Sequence, residues 1–142
     1  MSVPFPRNDV PPLPDGRTLP VPAGPYSQTR VVGGTLAVSG QVGIDPVNGE
    51  LADGITAQTE QTLRNLRNAL WMNGADLPDV LRVGVYLSDI RTIAVVNEIY
   101  GRTLSTPYPA RTTVQVGLPP GILIEIDALA MLPRSALSAS GG

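Results

Sequence analysis

The chain has no cysteine and no histidine, and its ten basic residues are all arginine, so it has no lysine either. These absences remove Ser-His-Asp triads, thiol nucleophiles, Schiff-base lysines and the pyridoxal chemistry such lysines anchor. They also exclude disulfides, His/Cys zinc sites, iron–sulfur clusters and the lysine of a phosphate-binding loop. Charge of either sign is sparse: the formal net charge is −2, and the arginines are scattered. No phosphate-tracking stripe forms, so nucleic acid is not an expected partner. No apolar run is long enough to span a bilayer, and the N-terminus lacks a charged-then-apolar leader pattern. The expectation is a cytoplasmic protein with no membrane partner. Whatever chemistry it performs must use carboxylates, arginine, hydroxyls, tyrosine, backbone groups and water.

What remains is one domain's worth of chain, 142 residues. Residues 1–22 hold seven of the fifteen prolines and read as an extended, poorly ordered arm. Residues 23–132 form the domain, and residues 133–142 read as a flexible tail. Within the domain, Thr29 to Val32 and Thr35 to Ser39 are short strands joined by the Gly33-Gly34 hairpin turn. Asp45 to Gly49 is a loop. Apolar residues recurring at helical spacing predict a helix over Ile55 to Asn73, with Asp53 or Thr56 available as a cap and Gly74 at the left-handed C-terminal position. Alternation over Val80 to Leu87 predicts a strand with Leu81, Val83, Val85 and Leu87 on one side. A second helix follows over about Thr92 to Leu104, and Pro107 and Pro109 end it.

The stretch from Tyr108 to Met131 reads as a strand, a Pro-Pro-Gly turn and a second strand. Arg111 opens the first strand, where its planar fork suits a carboxylate ligand. Glu125 interrupts the run Ile122-Leu123-Ile124-Glu125-Ile126, an expensive place for a carboxylate unless it is paired or used. If the two strands form a hairpin with Val114 opposite Glu125, Arg111 and Glu125 project to opposite faces; a register shifted by one residue puts them on the same face. The pattern leaves both registers open. Two strand–helix–strand units imply a mixed sheet with both helices on one face. The last strand nevertheless reads as apolar on both sides, so a second copy of the chain is expected to cover the other face.

Gly24-Pro25-Tyr26-Ser27-Gln28, Ser39-Gly40-Gln41 with Asp45-Pro46, Asn97-Glu98-Ile99-Tyr100, Pro109-Ala110-Arg111 and Ile124-Glu125-Ile126 resemble the reactive intermediate deaminase (RidA, or YjgF) family, in order and spacing. The resemblance covers about Val21 to Met131. It implies a chorismate-mutase-like α+β fold, homotrimers with the sheets facing inward, and ligand clefts between subunits. It also implies cofactor-free hydrolysis of 2-imino acids, tautomers of enamines such as 2-aminoacrylate, to 2-oxo acids and ammonia. Carried over residue by residue, Arg111 clamps the substrate carboxylate, the Thr113 carbonyl accepts from the imine nitrogen, and Glu125 activates the attacking water. Tyr26, Ser39, Gly40 and Asn97 line the cleft. Many members have cysteine where this chain has Thr113, which leaves a backbone role intact and removes thiol-based regulation. Two other readings remain: a metabolite-binding or chaperone-like trimer without turnover, and the endoribonuclease activity attributed to some members, which the lack of histidine, lysine and a basic groove disfavours.

Overall fold

In the computed structural model, which describes residues 22–140, five strands and three α-helices follow in order. They are β1 (Thr29–Val32), β2 (Thr35–Val42), α1 (Gly54–Trp71), β3 (Val80–Leu87), α2 (Ile93–Thr103), β4 (Ala110–Gln115), β5 (Ile124–Met131) and α3 (Arg134–Ser140). The proline-rich arm falls, but for its last residue, outside the described residues. No helix among them is long and apolar enough to cross a membrane.

The helical repeat places Leu63, Leu66, Ala69 and Leu70 of α1 in the core. Gly74, at φ +81°, reverses the chain beyond the helix. Asp53 occupies the N-cap position of α1 but makes no side-chain capping bond, so the expected cap is positional only. α2 packs on α1 through Val96, Ile99 and Tyr100. Below the helices lie Leu36 and Val38 of β2, Val83, Val85 and Leu87 of β3, and Ile124 and Ile126 of β5, all essentially buried.

The five strands form one mixed sheet in the order β1-β2-β5-β3-β4. This is the expected α+β architecture with α1 and α2 on one face, but two sequence readings are corrected. β4 and β5 do not form a hairpin. β4 lies parallel to β3, while β5 inserts between β2 and β3, antiparallel to both. The Pro-Pro-Gly turn is a local signal; which strand β5 then joins is decided by the apolar edges that β2 and β3 leave open. On β3, Leu81 is 60% exposed rather than in line with Val83 and Val85. The pairing jumps from Val80↔Ala130 to Arg82↔Leu129, so Leu81 is the extra residue of a β-bulge, and the alternation restarts after it. The tail reading is corrected as well. Residues Arg134–Ser140 are helical, and Ala136 is fully buried.

α1 also carries a buried polar row that periodicity in apolar residues does not register. Gln58 donates to the Gly121 carbonyl at 2.9 Å and accepts from the Leu123 N–H at 2.9 Å. Asn65 donates to the carbonyls of Val42 and Ile44, at 2.8 and 2.9 Å. Backbone groups of the loops after β2 and before β5 thereby find partners out of water. Both loops border one of the cavities described next.

Candidate functional site

Arg111 and Glu125 occupy different faces of the sheet. Arg111 is opposite Val83, whose side chain is in the core, so it points to the helix side. Glu125 is opposite Tyr86 and Val42, on the face the helices leave open. The hairpin register left open above therefore does not arise, but its opposite-face outcome is the one realised.

On the helix side, Arg111 borders a cavity of about 300 Å³ with Asn97, Tyr100, Gly101, Tyr108 and Pro109. One guanidinium nitrogen donates to Asn97 Oδ1 at 2.8 Å. The guanidinium carbon lies 4.8 Å from the centre of the Tyr100 ring, within cation–π range. Tyr100 is buried, and burial raises its hydroxyl pKa while Arg111 pulls it the other way. Tyr108 tilts against Tyr100 at 6.4 Å and donates to the Gly101 carbonyl at 3.2 Å. The guanidinium is thus held from one edge and one face, leaving the other edge for a planar anion. Thr113 follows two residues along the same side of β4, and its hydroxyl is buried without a partner among the described residues. β4 is an edge strand among the described residues, so part of its backbone faces away from β3.

On the open face, Glu125 borders a cavity of about 350 Å³ with Tyr26, Gln28, Gly40, Gln41, Ile44, Pro119 and Ile122 among its walls. Its carboxylate has no hydrogen bond or ion pair among the described residues. Burial, and secondarily the charge of Asp127, raises its pKa above the ordinary glutamate value. The pairing of β2 with β5 slips between Val38 and Gln41, so Ser39 and Gly40 form a bulge. A Cβ on Gly40 would stand 2.5 Å from a Glu125 carboxylate oxygen, and the missing side chain is what lets the carboxylate lie over the strand. The Ser39 hydroxyl donates to the Ser27 carbonyl at 2.6 Å and pins the segment that carries Tyr26. Tyr26 itself is half exposed at the cavity mouth.

The expected site residues therefore fall into two groups, Arg111, Asn97 and Thr113 on one side and Glu125, Gly40 and Tyr26 on the other. Sequence reasoning missed Tyr100 as the support of Arg111; an aromatic one turn from Asn97 was the available signal. It also missed the Gln28–Gln41 pair, whose amides meet at 2.8 Å beside the Glu125 cavity. Among the described residues no group of three or more histidine, cysteine, aspartate or glutamate side chains is placed to hold a metal.

Residues 17–132 match the family described as Endoribonuclease L-PSP. The chain is 43% identical over 113 residues to a RutC family protein of Pyrococcus abyssi, a match covering 78% of this chain and 89% of that protein. It is 41% identical over 110 residues to the human 2-iminobutanoate/2-iminopropanoate deaminase, covering 76% of this chain and 80% of the relative. The crystal structure of RidA from an Antarctic Psychrobacter bacterium superimposes with a TM-score of 0.78 at 42% identity, over 80% of this chain and 94% of that one.

Proposed function

The chain belongs to the RidA (YjgF) family, and from that membership we propose that it is a cofactor-free deaminase hydrolysing 2-imino acids to 2-oxo acids and ammonia. The observation that carries the mechanism is that Arg111 and Glu125 face separate cavities on opposite sides of the sheet. Neither half holds both a carboxylate clamp and a base. A homotrimer in which the Arg111 side of one subunit meets the open face of the next supplies both.

In that cleft Arg111 binds the substrate carboxylate through its free edge, and the Thr113 carbonyl accepts a hydrogen bond from the imine N–H. The partner subunit's Glu125 takes a proton from water as the water oxygen bonds to the imine carbon, and the C=N electron pair moves to nitrogen. That proton passes from Glu125 to the nitrogen, giving the neutral carbinolamine, and Glu125 then takes the hydroxyl proton and delivers it to the same nitrogen. Ammonia leaves as the C–N bond breaks and the carbonyl forms. A raised Glu125 pKa fits both halves of this exchange, since the group must accept a proton and then return it. Tyr26, Gly40 and Asn97 shape the cleft.

The test is to generate 2-aminoacrylate with a serine dehydratase and follow keto acid formation. Wild-type protein is expected to accelerate it, and Arg111→Ala to lower the acceleration at least tenfold at subsaturating substrate. Saturable 2-oxo acid binding with no acceleration by wild type would replace the enzyme with a metabolite-binding trimer.

A further inference from the structure

The open face carries one arrangement that the proposed chemistry does not use. Between β3 and β5 lies a cavity of about 260 Å³ bordered by Arg82, Gly84, Tyr86, Asp127 and Leu129. The Asp127 carboxylate accepts from the Gly84 N–H at 3.1 Å and from the Tyr86 hydroxyl at 3.0 Å. Gly84 is required there, because a Cβ at that position would collide with Asp127 and with the Tyr86 hydroxyl. Two donors leave lone pairs of the carboxylate unused, and these border the cavity. Arg82 stands exposed on the same face, and its guanidinium donates to Thr112 Oγ1 at 2.9 Å, which draws it toward β4. It forms no ion pair among the described residues. One surface therefore presents a fixed carboxylate and an unpaired guanidinium side by side, beside Leu129, which is 41% exposed.

We infer that Arg82 of one protomer docks on the Asp127–Tyr86 pair of the next, and that this contact sets the alignment of the subunits. The inference rests on the trimeric reading above, since a closed three-membered ring repeats one head-to-tail contact and needs both members of the pair on every copy. Charge complementarity identifies the occupant as a second copy. Arg82 supplies the planar fork that a carboxylate with free lone pairs accepts, and a copy arriving in the wrong register sets like charges against each other. Asp127 lies two residues from Glu125 on β5, so the same contact fixes where Glu125 stands in the neighbour's cleft.

The absence of cysteine makes the test clean. Ala110→Cys and Leu129→Cys flank the two members and leave both, with the Arg82–Thr112 bond, in place. Co-expressed with different tags and treated with a short bis-maleimide, they are expected to give a cross-linked pair containing one of each variant, and neither variant alone is expected to cross-link. Arg82→Glu is expected to give folded monomers by native mass spectrometry, and the exchange Arg82→Glu with Asp127→Arg to recover the assembly. A trimeric Arg82→Glu protein, or no mixed cross-link in a trimeric wild type, overturns the contact. A monomeric wild type instead overturns the trimeric reading on which it stands.

Discussion

The two half-cavities treat their charged residue in opposite ways. Arg111 is held before any ligand arrives, with Asn97 on one nitrogen and the Tyr100 ring under its face. Glu125 is given nothing: no partner among the described residues, partial burial, and a like charge nearby. A group whose task is to bind gains from being fixed in advance, because less ordering is then lost on binding. A group whose task is to take and release a proton gains from being unsatisfied, because every fixed donor would stabilise its charged form. On this contrast, substitutions in the Glu125 half should change turnover and substitutions in the Arg111 half should change affinity.

The sharpest break is Glu125→Gln. Loss of the base is expected to lower kcat by about 10²–10⁴-fold, while the Kd for 2-oxobutanoate, read by calorimetry, stays within about threefold of wild type. Comparable losses in both would erase the division of labour. Arg111→Ala should do the reverse. Removing a charge-assisted pair worth about 1.5–3 kcal/mol raises that Kd at least tenfold.

Gly40→Ala probes the close approach of the strand to Glu125. The new methyl displaces a flexible carboxylate rather than backbone, so the melting temperature should barely move. With the base displaced, kcat is expected to fall about ten- to a hundredfold; an active Gly40→Ala protein would show that the carboxylate need not lie over β2. Smaller still is Tyr100→Leu, which removes a cation–π contact worth about 0.5–1 kcal/mol and should raise the Kd about threefold. Tyr100→Phe keeps the ring face and should restore wild-type binding.

The contrast also has a pH signature. A base must be deprotonated, so kcat/KM falls with acid, and the raised pKa places that limb above the ordinary glutamate value of 4.5. A limb at or below that value would count against Glu125 as the base. For stability the sign is opposite to that of a salt-bridged carboxylate. Folded Glu125 holds its proton more tightly than unfolded Glu125, so it costs stability once pH rises through the ordinary value toward the raised one. Glu125→Gln should flatten that part of the stability profile, as followed by urea denaturation.

Local signals carried the elements and missed their partners. The Gly33-Gly34 turn, the α1 stripe and the alternation of β3 were all readable, because each depends on neighbours in sequence. The placement of β5 between β2 and β3 was not, since a Pro-Pro-Gly turn looks the same whether the next strand folds back or moves on. Glu125 stood out for its cost among isoleucines, and Arg111 for its geometry at a strand start. Gln58 and Asn65 gave no such sign: a buried amide is marked only by the backbone groups it satisfies, and those lie in distant loops.

The insertion of β5 also fixes when the sheet can exist. Among the described residues the β1–β2 and β3–β4 ribbons are joined in the sheet only through β5. Two-stranded ribbons are marginal in water by themselves. A chain cut before Ile124 would therefore hold two separate ribbons, each with an edge waiting for the same absent strand. Partly folded chains in which β5 has not yet docked expose these edges, and aid to folding is of most use before that step.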